Sequence, residues 1–156
     1  MKQIESQLTR LRLTGMNKGW KSIVETRRVQ ELSFTDGLQL LLQAEEEERS
    51  IKRFERLKTS ARFRYQASIE EIHFDAARGL NKDLITNLAT CDYIAKGESV
   101  LITGATGCGK SFIASALGHH ACIHGKNVAY YNTQKLLMRI KMARLDGSIM
   151  KFFDKL

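Results

Sequence analysis

Eight consecutive residues, from Gly104 to Ser111, have the types and the spacing of a phosphate-binding loop. Their glycines allow backbone conformations that residues with a Cβ rarely adopt, so that successive N–H groups can point into one concavity. Lys110 should then reach the β- and γ-phosphates of a nucleoside triphosphate, and the Ser111 hydroxyl should bind Mg²⁺. The alternative is a flexible glycine-rich turn that precedes a basic residue. The predicted site consists of Gly104, Ala105, Thr106, Gly107, Cys108, Gly109, Lys110 and Ser111.

Such a loop needs a strand before it and a helix after it, and the sequence predicts both. Residues 99–103 (SVLIT) are apolar and include β-branched side chains, which favours a buried parallel strand. A helix is expected from about residue 110 to 124, where Gly125 would end it. Residues 127–131 (NVAYY) have the pattern of a second strand. This order of elements predicts an α/β fold with parallel strands.

The chain before the loop has the apolar spacing of helices, as in Ile4, Leu8 and Leu11. Ser33, followed by Asp36, predicts the start of a long helix over about residues 35–58, with a further helical segment to about residue 66. We therefore expect an all-helical N-terminal domain at residues 1–70. Residues 71–156 are expected to form the front part of the nucleotide-binding domain.

Basic residues are concentrated between residues 49 and 64, where Glu55 is the one acid. Such a stripe can follow the phosphates of DNA and release counterions, largely without regard to base sequence. The alternative is a solvated face, because Glu45 and Glu48 stand four residues before Arg49 and Lys52, the orientation that favours helix ion pairs. We name the candidate DNA contacts the basic run: Arg49, Lys52, Arg53, Arg56, Lys58, Arg62 and Arg64.

The composition narrows the class of protein. The chain has 156 residues, of which 43% are hydrophobic and 27% charged, as in globular domains. Its net charge of +8 favours a polyanionic partner, which is a nucleic acid, a nucleotide or an acidic membrane surface. Three cysteines without a Cys-x-x-Cys pair argue against a disulfide scaffold or a zinc ribbon. The sequence has no apolar stretch of membrane-spanning length, and a cytoplasmic protein is expected.

Hydrolysis of a nucleotide needs an acidic residue at the end of a neighbouring strand. The stretch after Tyr131 that comes nearest to this pattern ends at Asp154, but Lys151 interrupts it and its spacing also suits a helix. Too few residues follow Ser111 for the remaining strands of a nucleotide-binding sheet. We therefore expect the chain to be the front portion of a longer ATPase.

Several stretches around the loop resemble the IstB-type transposition helper ATPases of bacterial insertion sequences. These are AAA+ proteins close to the DnaC helicase loader. The resemblance covers nearly the whole chain and is more specific than the phosphate loop alone. The stretches that carry it are residues 11–16 (LRLTGM), 32–34 (LSF), 72–80 (IHFDAARGL), 88–94 (LATCDYI), 100–122 and 136–147.

This resemblance implies a helical N-terminal domain joined to an AAA+ domain that binds ATP and Mg²⁺ at residues 104–111. It implies homo-oligomers on duplex DNA with little sequence preference, and a partner transposase. It places the segment around Phe74 over the adenine. The second acidic motif, the sensor and the arginine finger of the family would lie beyond Leu156. A helicase loader and an inactive remnant are the alternatives, and the basic run favours the transposition helper over the loader.

Overall fold

The structure is a computed structural model, and it describes residues 2–75 and 79–154. The chain divides into two compact units, a first that ends at Glu55 and a second that begins at Arg56. The helices are α1 (Lys2–Arg10), α2 (Thr14–Glu25), α3 (Phe34–Ala61), α4 (Lys82–Ala89), α5 (Asp92–Ala95), α6 (Lys110–Ile123), α7 (Thr133–Leu145) and α8 (Ile149–Phe153), with a 3₁₀ turn at Arg28–Gln30.

In the first unit, the start of α2 lies directly on α3. A Cβ at Gly15 would collide with the Ala44 carbonyl oxygen and lie 2.5 Å from the Glu45 Cα, so only glycine fits there. The buried Glu45 carboxylate accepts hydrogen bonds from the backbone N–H groups of Gly15 (2.8 Å) and Met16 (3.1 Å). It thus satisfies two amides of the first turn of α2, which have no partner within that helix.

Helix α3 begins as its sequence predicts and ends differently. The Asp36 N–H donates to the Ser33 hydroxyl at 3.1 Å, and that hydroxyl donates to the Asp36 carboxylate at 2.6 Å, so the predicted cap is confirmed. The helix then runs without a break to Ala61. The prediction of a further helical segment to residue 66 is wrong, because Arg62 adopts a left-handed conformation (φ 55°) that ends the helix.

The core of the second unit forms around α6. Ile113, Ala116 and Leu117 of this helix are buried together with residues from before and within α4. Asn81 caps α4, since its side chain accepts hydrogen bonds from the N–H groups of Asp83 (2.8 Å) and Leu84 (3.2 Å). The other buried residues of this cluster are Ala67, Ile72 and Ile85.

The predicted α/β architecture is not confirmed, because neither expected strand forms in the residues that the structure describes. Residues 99–103 and 127–131 have no helical or strand structure. A strand exists only through backbone pairing with a neighbour, and the Tyr130 N–H instead donates to the Ala61 carbonyl at 2.9 Å. Leu101, expected in a buried strand, is 88% exposed.

The structure also bears on membrane spanning and on one stretch of the family resemblance. In residues 2–75 and 79–154, we find no helix that combines the length and the apolar character needed to cross a bilayer. Ala76, Ala77 and Arg78 belong to one of the stretches that carry the family resemblance, and they lie outside the described residues.

Candidate nucleotide-binding site

The candidate loop lies between a core residue and the N-terminus of the central helix of the second unit. Ile102 packs against the buried cluster on one side of the loop, and α6 begins at Lys110 on the other. Gly109 caps the helix in a left-handed conformation. Helix α6 over Lys110–Ile123 confirms the helix predicted from the sequence. The loop therefore stands at the positive end of a fourteen-residue helix.

Its glycines are in conformations that other residues rarely adopt. Gly104, Gly107 and Gly109 have φ angles of 150°, 83° and 90°. At Gly104 a Cβ would also come within 3.0 Å of the Cys108 sulfur. The chain can therefore curl over these positions and bring its amides close to an anion, as a phosphate cradle requires.

The Lys110 ammonium folds back over this loop. Its Nζ donates to the carbonyl oxygens of Gly104 (2.9 Å) and Ala105 (2.6 Å) and lies 3.8 Å from the Cys108 sulfur. Ser111 follows in the first turn of α6 with an exposed side chain. The loop thus carries one cation, the exposed hydroxyls of Thr106 and Ser111, and a helix N-terminus, which together can hold a phosphate chain.

Comparison with known proteins decides the family. The family model described as IstB-like ATP binding protein matches residues 6–156. The chain belongs to the IstB-like ATP binding protein family. A similar protein of Pseudomonas fluorescens, named as an ATP-binding protein of insertion sequence IS1162, is 38% identical over 97% of this chain and 66% of its own length. The proposed family resemblance is therefore confirmed.

Other members give the same result at greater distance. An insertion-sequence ATP-binding protein of Sinorhizobium fredii (y4pL) is 33% identical over 90% of this chain and 58% of its own length. The corresponding protein of insertion sequence IS21 in Pseudomonas aeruginosa is 24% identical over the whole chain and 59% of its own length. The chain therefore spans about three fifths of the length of these IstB-like relatives.

Two residues considered for the IstB-like site lie elsewhere in the second unit. Phe74 is half-buried and packs against the cluster that contains Ile113, so its assignment to adenine stays a prediction. Asp154 lies at the exposed C-terminal end of α8 and not at the end of a strand, as its helical spacing indicated. The described residues contain no group of three or more His, Cys, Asp or Glu side chains placed to hold a metal ion.

The N-terminal members of the basic run are already paired in the first unit. Arg49 Nε lies 2.8 Å from a Glu45 oxygen, and Lys52 Nζ lies 3.2 Å from a Glu48 oxygen. These are the i, i+4 pairs that the sequence predicts. Lys52 also donates to the Thr14 hydroxyl at 2.6 Å. Glu48 also pairs with Lys18 at 2.7 Å, so the two carboxylates offset part of the positive field of these cations.

The C-terminal members of the basic run have different surroundings in the second unit. Arg62 and Arg64 line a cleft together with Lys135 and Arg139 of α7. Sequence reasoning missed these two α7 residues, because nothing in the local pattern joins them to Arg62 and Arg64. The signal available was the repeat of basic residues four apart on α7, which places them on one helix face.

Proposed function

We propose that this chain binds Mg²⁺ and ATP in the loop at residues 104–111 and acts as the ATP-dependent helper of an insertion sequence. In this role it binds duplex DNA with little sequence preference and assists the transposase of the same element as a homo-oligomer. The proposed division is a helical N-terminal domain at residues 1–70 and an ATP-binding portion at residues 71–156. The names of its relatives, all insertion-sequence ATP-binding proteins, support the role.

The observation that carries the nucleotide part is the position of Lys110 over a loop of left-handed glycines. In the structure its ammonium binds carbonyl oxygens, which are neutral acceptors. Phosphate oxygens are charged acceptors and form stronger bonds with an ammonium group. We expect Lys110 to exchange its two carbonyl partners for the β- and γ-phosphates when ATP binds, while Ser111 supplies the protein oxygen for Mg²⁺.

A titration with a fluorescent ATP analogue in the presence of Mg²⁺ tests this site. The Lys110→Ala variant should bind about 10- to 100-fold more weakly, because a hydrogen bond to a charged group contributes about 1.5–3 kcal/mol. Lys126→Ala is the matched control, since Lys126 is an exposed lysine beyond the C-terminal end of the same helix. Equal affinity of Lys110→Ala and the wild-type chain, or no binding by a folded wild-type chain, would contradict the proposal.

A further inference from the structure

The cleft that contains Arg62 and Arg64 has a volume of about 780 Å³. Three segments of the second unit form it: the end of α3 with the residues after it, the segment at 127–132, and α7. Its cations are Arg62, Arg64, Lys135 and Arg139, and among its described lining residues none is acidic. We name this surface the basic cleft.

The two arginines of the basic cleft are fixed through the residue between them. The Phe63 ring stacks on the His119 imidazole of α6 with ring centroids 4.2 Å apart and an interplanar angle of 29°. A Cβ at Gly118 would approach Phe63 Cε1 to 2.6 Å, so the glycine lets the ring lie against the helix. Burial lowers the pKa of His119; a backbone hydrogen bond at Tyr65 opposes this shift, and the nearby Lys58 charge adds to it.

Anchoring of Phe63 directs its two neighbours outward. Phe63 is half-buried, whereas Arg62 and Arg64 are exposed. The Tyr130 N–H donates to the Ala61 carbonyl at 2.9 Å, and this bond ties the same segment to the 127–132 wall of the cleft. The ring stack and the hydrogen bond thus fix the backbone that carries the two guanidinium groups at the cleft, which lowers the backbone entropy lost when they bind a partner.

Helix α7 supplies the opposite wall. Lys135 and Arg139 are four residues apart and share one helix face. Asn132, which caps α7, also lines the cleft, so the positive end of this thirteen-residue helix adds to the charge. Lys141 and Arg144 belong to the same helix and are exposed, but they do not line the cleft.

We propose that the basic cleft holds the phosphate backbone of duplex DNA, at a site separate from the nucleotide loop. This inference rests on the proposed function, which supplies duplex DNA as the partner. It adds the surface of the protein that binds the DNA. A cleft with cations from separate segments suits a continuous polyanion, because each cation can meet a different phosphate. None of the described residues that line the cleft is a glycine, in contrast to the left-handed glycines of residues 104–111, where we propose that one triphosphate binds.

Anisotropy of a fluorescein-labelled duplex of arbitrary sequence, titrated with the full chain at several salt concentrations, tests the cleft. Lys135→Ala/Arg139→Ala should weaken binding about 60-fold at 0.1 M salt, because each phosphate contact contributes about 0.9 logarithmic units there. The slope of log K against log salt should fall by about 2. The control pair Lys141→Ala/Arg144→Ala removes the same charge from the same helix and should change affinity less than about threefold.

The same samples separate this inference from the proposed function. All variants should bind the ATP analogue like the wild-type chain, which also shows that they are folded. Equal losses of DNA affinity in the two pairs would mean that net charge and not the cleft governs binding, and would overturn the inference alone. Competition by ATP or inorganic phosphate, at levels that do not alter the ionic strength, would assign the cleft to a small anion. A wild-type chain that binds ATP but no duplex would remove both the cleft and the DNA part of the proposed function.

Discussion

In the first half of the basic run, Arg49 and Lys52 each have a carboxylate within 3.2 Å, whereas in the second half Arg62 and Arg64 line a cleft whose described lining residues include no acid. The two halves are alike in the sequence, since both consist of basic residues one to four positions apart. What differs is the partner that the fold brings to each. A paired cation adds little to the long-range field, while cations gathered at one cleft reinforce each other.

The largest expected effect comes from removing two cations from each half in turn. Arg62→Ala/Arg64→Ala should weaken binding of duplex DNA by about 60-fold at 0.1 M salt, for the loss of two phosphate contacts. Arg49→Ala/Lys52→Ala changes the net charge by the same amount and should weaken it less than about threefold. Anisotropy titrations measure both. Similar losses in the two variants would show that the halves form one surface.

How much of the fold and of the candidate site could be predicted from the sequence depends on how far apart the interacting residues lie in the chain. The helix after the phosphate loop, the caps at Ser33 and Asn81, and the pairs Glu45–Arg49 and Glu48–Lys52 were all predictable. Each arises within a few residues, where spacing alone determines the geometry.

The features that sequence reasoning missed, and those that it predicted without confirmation, are non-local. The expected strands at residues 99–103 and 127–131 need pairing partners, which no local pattern provides. The basic cleft joins Arg62 to Arg139 through the packing of Phe63 on α6, and that stack involves two residues distant in the chain. Gly15 was visible as a glycine, but only the fold shows that it lies against the backbone of Ala44.

The next prediction concerns the stability of the first unit, in which Glu45 pairs with Arg49 of the basic run. Glu45→Gln should lower the free energy of unfolding by about 2 kcal/mol, because one carboxylate oxygen accepts from Gly15 and Met16 and the other accepts from Arg49. Glutamine keeps only one acceptor oxygen, and its NH2 group faces a donor at the other position. For a chain of this size this corresponds to roughly 4–8 °C in Tm, measured by circular dichroism. Glu46→Gln, an exposed neighbour, should change Tm by less than about 2 °C. Equal effects would contradict the buried role of Glu45.

The pH dependence of the difference in Tm between the wild-type chain and Glu45→Gln gives a second test of the role of Glu45. Burial raises the pKa of Glu45, but hydrogen bonds from Arg49 and from the Met16 and Gly15 amides outweigh it and leave the pKa below its ordinary value of 4.5. Its stabilisation is therefore complete above pH 4.5 and is lost as the pH falls through the folded-state pKa. The difference in Tm between the wild-type chain and Glu45→Gln should be constant from pH 7 to pH 5 and shrink below 4.5. A difference that grows on acidification would reverse the assigned sign.

The smallest effect distinguishes a cation that serves the fold from one that serves a ligand. Arg49→Ala should lower the free energy of unfolding by about 0.5 kcal/mol, because the exposed Arg49 side chain forms one screened ion pair. Glu45 keeps its two amide donors in this variant. Arg64→Ala, which is equally a loss of one exposed arginine, should leave Tm within about 1 °C and weaken DNA binding about eightfold at 0.1 M salt. Thermal melts and anisotropy on the same samples measure the contrast. A loss of DNA affinity in Arg49→Ala equal to that in Arg64→Ala would mean that the ion pair with Glu45 does not keep Arg49 from the DNA phosphates. Local neutralisation would then not explain the difference between the two halves of the basic run.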